Sequence, residues 1–317
     1  MSYSNRIYMY GPVGLLLLIA VLYSVFWRVE AETMSARLDR ANGGEIAPGI
    51  SFSFAQKSVG GFPFRLDVLL TGVRLGYRSG NTQIDWRTDR FALHRMAYGR
   101  NQFIFESDGT QTISWTAQPD AMPVTVLLSP ETARASAILN QGRLLRVDLD
   151  LWRPHGTKTG PSATPPAVFA ADRAQFHALA RRNNTLDVAI QVDNGKTGSS
   201  APQAVQASLP LIDGRITLNR ADLLTGLEQG NEDIARAFES WRNKMGVADV
   251  TSLALNWPDA HAVLRGELKL DANDQLSGTL RGDQTADHGG SRPIQLDFRN
   301  GSVTLEDASA TDPALTR

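Results

Sequence analysis

Two aspartates, Asp148 and Asp150, have the residue type and spacing that could support acid–base chemistry. They alternate with apolar residues in a predicted strand, so both carboxylates project from one face of it. The polar side of an amphipathic strand gives the same spacing without any catalytic role, and we favour that interpretation. A hydrolytic site assembled from distant residues is the alternative, because catalytic groups are recognised by geometry rather than by order in the chain.

Other catalytic and metal-binding patterns are absent from the sequence. The chain has no cysteine, which excludes disulfides, thiolate catalysis and cysteine-ligated metals. It contains no HExxH motif, no nucleophile elbow, no phosphate-binding P-loop and no dinucleotide-binding glycine fingerprint. The five histidines have neither metal-pair spacing nor a titratable partner nearby in sequence; they are His94, His155, His177, His261 and His288. We therefore interpret them as surface residues and expect no cofactor, no metal site and no enzymatic activity.

Composition and charge restrict the class of protein. The 317 residues are 42% hydrophobic and 21% charged, which are values of a folded chain of one or two domains. The formal net charge of -1 argues against a general nucleic-acid binder, which would carry a concentrated basic excess. We therefore expect a folded protein that has no nucleic-acid partner.

The N-terminal segment has the length and composition of a membrane anchor. No charge interrupts the apolar run Tyr8–Trp27, and about 20 helical residues span a hydrocarbon core of about 30 Å. Aromatic residues stand at both ends, and we place Pro12 in the first helical turn. The alternative is a signal peptide cleaved after Ala31. We favour the uncleaved anchor, because the apolar run is longer than the usual signal-peptide core.

After the anchor, Arg28–Asn42 predicts a helical stalk that ends at Gly43 and Gly44. The apolar period then becomes that of strands, with short connections that favour antiparallel pairing. The apolar alternation has one phase at Leu66, Val68 and Leu70. It has the opposite phase at Val73, Leu75 and Tyr77. A slip at Thr71-Gly72 of this kind is typical of a β-bulge.

The second half of the body continues the strand pattern. One strand is predicted over residues 186–192 and another over residues 205–211, each with one apolar face, followed by a turn at Asp213-Gly214. These two faces supply the candidate groove residues, which are Val188, Ile190, Leu209 and Leu211. The loop 153–167 is rich in proline and glycine and could divide the body into two halves.

One helical insertion interrupts the strands. Asn219 is predicted to cap a short helix, and a second helix is predicted from Glu232 to Met245. The second helix is amphipathic, and its predicted apolar stripe packs on the sheet. The stripe consists of Ile234, Phe238, Trp241 and Met245.

A short aromatic motif carries a family resemblance. Its residues are Gly60, Gly61, Phe62, Pro63, Phe64 and Arg65. This motif resembles the signature of a mainly alphaproteobacterial envelope family, domain of unknown function 2125. The stretches 264–280 and 293–305 are similar to that family's last two hairpins. The resemblance implies an inner-membrane anchor with a periplasmic β body, and it carries over no catalytic residue.

Two further interpretations concern the late hairpin and the aromatic motif. The late hairpin is reminiscent of AsmA-like envelope proteins, and that similarity implies lipid held in an apolar β groove. The motif itself has a structural interpretation, in which Phe62 and Phe64 fill the core at a corner made by Gly60 and Gly61, in preference to contacting a ligand.

Together these observations predict a mainly β protein. We expect a curved antiparallel assembly, either a trough or an open barrel-like sheet, with one helical hairpin and an N-terminal transmembrane helix. Residues 1–30 would form a cytoplasmic stub and anchor, 31–44 a stalk, and 45–317 a periplasmic domain of a bacterial inner-membrane protein. The expected function is lipid handling or envelope assembly. The alternatives are a scaffold that binds envelope proteins and the hydrolase considered above.

Overall fold

The fold is taken from a computed structural model of the whole chain. It describes residues 4–97, 101–116, 121–140, 143–161, 165–200, 207–225, 234–287, 289–299 and 302–307, and the side chains among these except at 4–9, 207, 225, 234, 235 and 307. The start of the strand predicted over 205–211, the predicted helix start at Glu232, and His288 lie outside these residues.

The described part of the chain is mainly β. The helices are α1 (Ser4–Ala41), α2 (Ala221–Thr225) and α3 (Ile234–Asn243). The first ten strands are β1 (Gly44–Ala47), β2 (Ile50–Ser53), β3 (Gln56–Gly60), β4 (Arg65–Ser79), β5 (Thr82–Met96), β6 (Gln102–Thr116), β7 (Val124–Ser129), β8 (Thr132–Asn140), β9 (Arg143–Trp152) and β10 (His155–Thr159). The rest are β11 (Ala167–Ala170), β12 (Arg173–Ala180), β13 (Thr185–Asp193), β14 (Lys196–Ser199), β15 (Ala207–Ser208), β16 (Leu211–Asn219), β17 (Ala248–Asn256), β18 (Ala260–Leu270), β19 (Leu276–Ala286), β20 (Ser291–Arg299) and β21 (Ser302–Asp307).

These strands form one antiparallel sheet. From β4 the lateral order runs through β5, β6, β8, β9, β12, β13 and β16, and then through β17 to β21 in sequence. A second row, β7, β10, β11, β14 and β15, continues from the far half of β6. No described pairing joins β21 to the first strands, so the sheet is open. The predicted mainly β, open antiparallel assembly is confirmed. Residues 153–167 were wrongly predicted to be a loop, because they contain strand β10, which pairs with β7 and β11.

A line of strand ends and pairing irregularities crosses the sheet, and we call it the crease. It passes through positions 54–55, 71–72, 89, 108–110, 130–131, 153–154, 171–172, 194–195 and 209–210. Four of its residues have positive φ, namely Gly72, Gly109, Arg153 and Asn194, and such residues turn the chain locally. Backbone hydrogen bonds between neighbouring strands continue across it, for example from Glu131 N to Trp152 O at 2.9 Å. The crease therefore bends the sheet without separating it.

The phase slip predicted at Thr71-Gly72 coincides with the crease. Gly72 has φ +59°, and Val73 is buried in the same cluster as Val68 and Leu70. The register between β4 and β5 is nevertheless unchanged across this point, because Gly72 and the residue opposite it, Asp89, are both skipped by the pairing. The slip therefore keeps the apolar residues of β4 on one face on both sides of the bend.

Helices cover that face at its two ends. Met34 and Leu38 of α1 pack against the cluster of Phe54, Val68, Leu70 and Val73. At the other end, Leu223 of α2 and Trp241 of α3 pack against a cluster that contains Val250, Ala262, Leu264, Leu268, Leu280 and Ile294. The predicted stalk is thus a helix that lies on the sheet, continuous with the apolar run.

Three local predictions about turns and strands were wrong. Helix α1 begins at Ser4, so Pro12 lies inside the helix and not in its first turn. Asp213 and Gly214 lie within β16, where they pair with both neighbouring strands, and form no turn. The strand predicted over 205–211 is interrupted at Leu209-Pro210, because the crease passes there and β16 begins only at Leu211.

Two predictions about the helical insertion were also wrong. Asn184, from the connection before β13, caps α2 by accepting a hydrogen bond from Asp222 N at 2.7 Å, whereas Asn219 Oδ1 accepts one from Val247 N. In the predicted stripe, Trp241 is buried but Phe238 and Met245 are exposed. The buried side of α3 is narrower than predicted, because Ala237 and Trp241 alone among its described residues are buried.

Candidate functional site

The main candidate site is the uncovered middle of the apolar sheet face. Residues directly opposite each other in an antiparallel pair project from the same face, so the register defines rows across the sheet. One row contains Val68, Leu93, Phe105, Ala135, Leu149, Phe176, Ile190, Gly214, Leu253, Leu264, Gly282 and Ile294. It is free of charged residues over twelve strands.

Burial along this row changes with the covering helices. Val68 and Leu264, under the helices, are 1% and 0% exposed, whereas Leu149 and Ile190 in the middle are 36% and 37% exposed. The intervening Phe105, Ala135 and Phe176 are half-buried. The open section comprises β6, β8, β9, β12 and β13, which at about 4.8 Å per strand is about 24 Å wide. We call it the open apolar face.

A line of aromatic rings borders the open apolar face on the α1 side. The ring centroids of Trp86 and Phe91 are 5.8 Å apart, those of Phe91 and Phe105 are 5.9 Å apart, and those of Phe105 and Phe103 are 6.4 Å apart. Trp86 donates a hydrogen bond from Nε1 to Gln111 Oε1 at 3.0 Å. This line crosses the crease and makes a continuous apolar surface from one side of the bend to the other.

The predicted groove residues occupy different places. Val188 and Ile190 lie in adjacent rows of the open apolar face, opposite Ala178 and Phe176 respectively. Leu209 lies in the crease, close enough to Gly195 that a Cβ atom added there would be 3.1 Å from Leu209 Cβ. Leu211 faces Asn256 and alternates with Ile212, so the register places it on the opposite face, with Asp213. Leu209 and Leu211 therefore do not continue a single strand face.

The aromatic motif forms a tight turn between β3 and β4. Arg65 N donates to Gly61 O at 2.9 Å, and Ala97 N donates to Phe64 O at 2.9 Å. Gly61 has φ +95°, and a Cβ there would lie 2.8 Å from Arg65 O, so the turn requires glycine. Phe62 and Phe64 are 54% and 64% exposed, so the prediction that they fill the core was wrong. Backbone hydrogen bonds hold the turn in place, and both rings project outward from it.

The turn contacts helix α1 instead. Tyr23 donates from its hydroxyl to Pro63 O at 2.6 Å, and Trp27 donates from Nε1 to Arg65 O at 2.8 Å. The Trp27 ring meets the Phe62 ring edge-on, with centroids 5.4 Å apart. One helical turn further on, the Arg95 guanidinium is 3.1 Å from the Glu30 carboxylate, and both are largely buried. These contacts hold α1 against the end of the sheet where β4 begins and β5 ends.

The turn and the groove residues are well separated. Leu66, next to the motif, lies in the same row as Val188, six strands away, or about 29 Å at 4.8 Å per strand. The fold thus does not bring the two sets of predicted site residues into one pocket. It places them at the edge and in the middle of one face.

The opposite face is polar and contains the two aspartates. Asp150 accepts two hydrogen bonds from Arg173, at 2.8 and 2.7 Å, and this pairing lowers the pKa of Asp150 below its ordinary value. Burial opposes ionisation of Asp148, but hydrogen bonds with Arg146, His177 and Ser136 outweigh it and lower its pKa as well. Each carboxylate has its own cationic partner, so the two do not share a proton as a catalytic carboxylate pair would.

Two histidines of this face have partners that the sequence analysis missed. His177 Nδ1 is 2.7 Å from Asp148 Oδ1, and His94 Nδ1 is 2.7 Å from Asp67 Oδ1. Each pair lies directly opposite in neighbouring strands, 29 and 27 residues apart in sequence. Only the strand register could have revealed them. Among the described residues, no group of three His, Asp or Glu side chains could hold a metal ion.

Comparisons with known proteins give one family match. A family model described as "Uncharacterized protein conserved in bacteria (DUF2125)" matches residues 27–283, which is most of the chain. Neither the curated proteins nor the solved structures searched contain a match. The match runs from the middle of α1 through β18 and most of β19.

Proposed function

This chain belongs to the DUF2125 family of bacterial proteins, and on that premise we propose that it is a membrane-anchored, non-enzymatic protein of the cell envelope that binds lipid acyl chains on its open apolar face. The observation that carries the proposal is the contrast in burial along one apolar row. Its ends are covered by α1 and by α3, while Leu149 and Ile190 in the middle are exposed. Contiguous exposed apolar patches are uncommon on soluble proteins and are typical of binding surfaces.

Lipid is the ligand that this surface fits best. The open apolar face presents aliphatic and aromatic side chains such as Phe103, Phe105, Val147 and Leu149, with no charged group in the row through Ile190. Acyl chains need apolar area and no directional hydrogen bonds. Protein partners usually add polar groups and hydrogen bonds at the rim of an interface.

The anchor helix connects this face to a membrane. One helix, over Tyr10–Ala41, is long and apolar enough to cross a bilayer, and the large apolar residues of its first half, such as Leu16 and Leu22, are exposed. The same helix continues onto the sheet, where Ala31 is buried and Met34 and Leu38 pack on the covered end of the apolar face. The apolar face therefore begins where the membrane-crossing segment ends, which gives lipid a short route to it.

We further propose that the helix is retained in the bacterial inner membrane and that the body lies in the periplasm. The support is the cysteine-free β-rich body and the long apolar run. A C-terminal alkaline phosphatase fusion should be active, and a C-terminal fluorescent protein that folds only in the cytoplasm should be dark. The reverse pattern would place the body in the cytoplasm. N-terminal sequencing of the membrane-extracted protein should find no new terminus at Glu32.

Lipid binding is tested by mass spectrometry of lipids that co-purify with the detergent-extracted protein. The informative variant is Ile190→Asp, which places a charge in the open apolar face. The matched control is Ala189→Asp, one residue away on the polar face, where position 189 lies opposite His177 and Arg215. We expect Ile190→Asp to lose bound lipid and Ala189→Asp to retain it. Equal lipid content in both variants, or none in the unsubstituted protein, would contradict the proposal.

A further inference from the structure

The turn of the aromatic motif exposes two large apolar rings on a rigid backbone. Its hydrogen bonds, from Arg65 N to Gly61 O and from Ala97 N to Phe64 O, hold it between β3 and the β4–β5 edge. Phe62 and Phe64 nevertheless remain more than half exposed. A turn whose backbone is fixed while its aromatic side chains point outward is suited to insertion into a surface rather than to closing a core.

The position of the turn along α1 identifies that surface. From Tyr10 to Trp27 the helix rises by about 27 Å at 1.5 Å per residue, close to the thickness of a hydrocarbon core. Tyr23 and Trp27 therefore lie at the boundary between hydrocarbon and headgroups, which tyrosine and tryptophan favour. Both donate hydrogen bonds to carbonyls of the turn, at Pro63 and Arg65. The turn is thus held at the depth of the membrane interface.

Charged residues next to the turn agree with this depth. Arg28 and Arg65 have largely exposed side chains, and each has one carboxylate neighbour, Glu32 and Asp67 respectively. Arginines at the end of a membrane-crossing segment can place their guanidinium groups among lipid phosphates. The apolar rings and the guanidinium groups are therefore arranged as in an interfacial segment.

We propose that the turn Gly61–Arg65 is a second membrane contact of this chain, in which Phe62 and Phe64 insert into the interface of the leaflet where the apolar run ends. The occupant of this patch is the bilayer, because the patch is continuous with the exposed apolar surface of α1 through the contact between Phe62 and Trp27. Two contacts, the helix and the turn, fix the tilt of the body. The edge of the sheet where β4 begins and β5 ends then faces the membrane.

The absence of native cysteine allows a direct test with single spin labels. Three full-length variants, Phe64→Cys, Met122→Cys and Leu17→Cys, are labelled and reconstituted in vesicles of phosphatidylethanolamine and phosphatidylglycerol. Met122 is 71% exposed and lies in the connection from β6 to β7, at the other edge of the sheet. Leu17 lies within the apolar run and reports the bilayer interior. The measurement compares collisions of each label with oxygen, which partitions into lipid, and with a water-soluble nickel chelate.

We expect the oxygen-to-nickel collision ratio at Phe64→Cys to be severalfold higher than at Met122→Cys and lower than at Leu17→Cys. A ratio equal to that at Met122→Cys would show a turn in water and overturn the inference. Protection from both reagents would show that the turn packs against protein, which would overturn it equally. The inference does not rest on lipid binding by the open apolar face. A water-exposed turn would leave that proposal standing.

Discussion

Aspartate substitutions at Ile190 and Leu264 should have very different costs, although both residues lie in one row of one sheet face. Leu264 is fully buried beside Trp241, whereas Ile190 is 37% exposed. A buried aliphatic side chain contributes about 1.5–3 kcal/mol. About two thirds of that, or roughly 1–2 kcal/mol, is the apolar contribution lost in Ile190→Asp, because the new carboxylate can remain hydrated.

The Leu264→Asp substitution adds two larger costs. Removing the buried side chain leaves a cavity, and large-to-small core changes of this kind cost about 2–5 kcal/mol. The carboxylate would also be buried without a partner, which costs several kcal/mol more. The sum is comparable with the whole stability of a domain, about 5–15 kcal/mol. We therefore expect Leu264→Asp to prevent folding and Ile190→Asp to be tolerated.

The assay is urea unfolding of the detergent-solubilised protein, followed by circular dichroism. The Ile190→Asp variant should show a cooperative transition at a modestly lower urea concentration, with an unchanged slope. Leu264→Asp should show no native baseline. If both variants failed to fold, Ile190 would be covered in the same way as Leu264, and the open apolar face would not exist as described.

Three further predictions concern the anchor contact, the polar face and the turn. Either Glu30→Gln or Arg95→Met alone should destabilise the body by about 3–5 kcal/mol, because the charge of the remaining partner stays buried. The double variant should recover much of this loss, and a double-mutant cycle measured by urea unfolding checks it. Arg173 lowers the pKa of Asp150 in the folded state. The stability that this pair contributes is therefore present above the unfolded-state pKa of about 3.8 and is lost as pH falls through the lower folded-state value. The Asp150→Asn variant should flatten the pH dependence of the unfolding free energy below pH 4. Gly61→Ala should lower the free energy of unfolding by about 1–3 kcal/mol in the same measurement, because Gly61 has φ +95° and an added Cβ would meet a carbonyl oxygen. An unchanged urea midpoint would show that the turn is not rigid.

The sequence predicts the strands and the apolar face well because both depend on local periodicity. Apolar alternation predicts Val68 and Leu70 in one phase and Val73 in the opposite phase, and the structure buries all three in one cluster. The slip at Gly72 is visible in the sequence. The matching skip in pairing at Asp89, which keeps the register, is not visible, because no residue there marks it.

Features that depend on long-range pairing could not be predicted. His177 has no acidic neighbour in sequence, and Asp148 becomes its partner only because β9 and β12 lie side by side in one particular register. The strand predicted over 205–211 runs through Pro210, because alternation alone does not reveal the crease, which depends on how neighbouring strands pair. The N-terminus of α2 is likewise capped by a distant residue, Asn184, from the connection between β12 and β13.

The motif shows a different limit. Aromatic pairs usually pack in cores, and the sequence analysis followed that tendency for Phe62 and Phe64. Their exposure follows from Tyr23 and Trp27, which bind the backbone of the turn from the anchor helix. A contact across about 40 residues of sequence is not encoded in the motif itself.

The claim that the open apolar face holds acyl chains is tested most directly by photo-crosslinking. The full chain is reconstituted with phospholipid that carries a diazirine in its acyl chain, irradiated, digested and mapped by mass spectrometry. Adducts should appear on strands β6, β9 and β13, at or beside Phe105, Leu149 and Ile190, in addition to the membrane-crossing helix. Adducts confined to the helix and to the turn at Phe62 would contradict the account, because the open face would then not meet lipid.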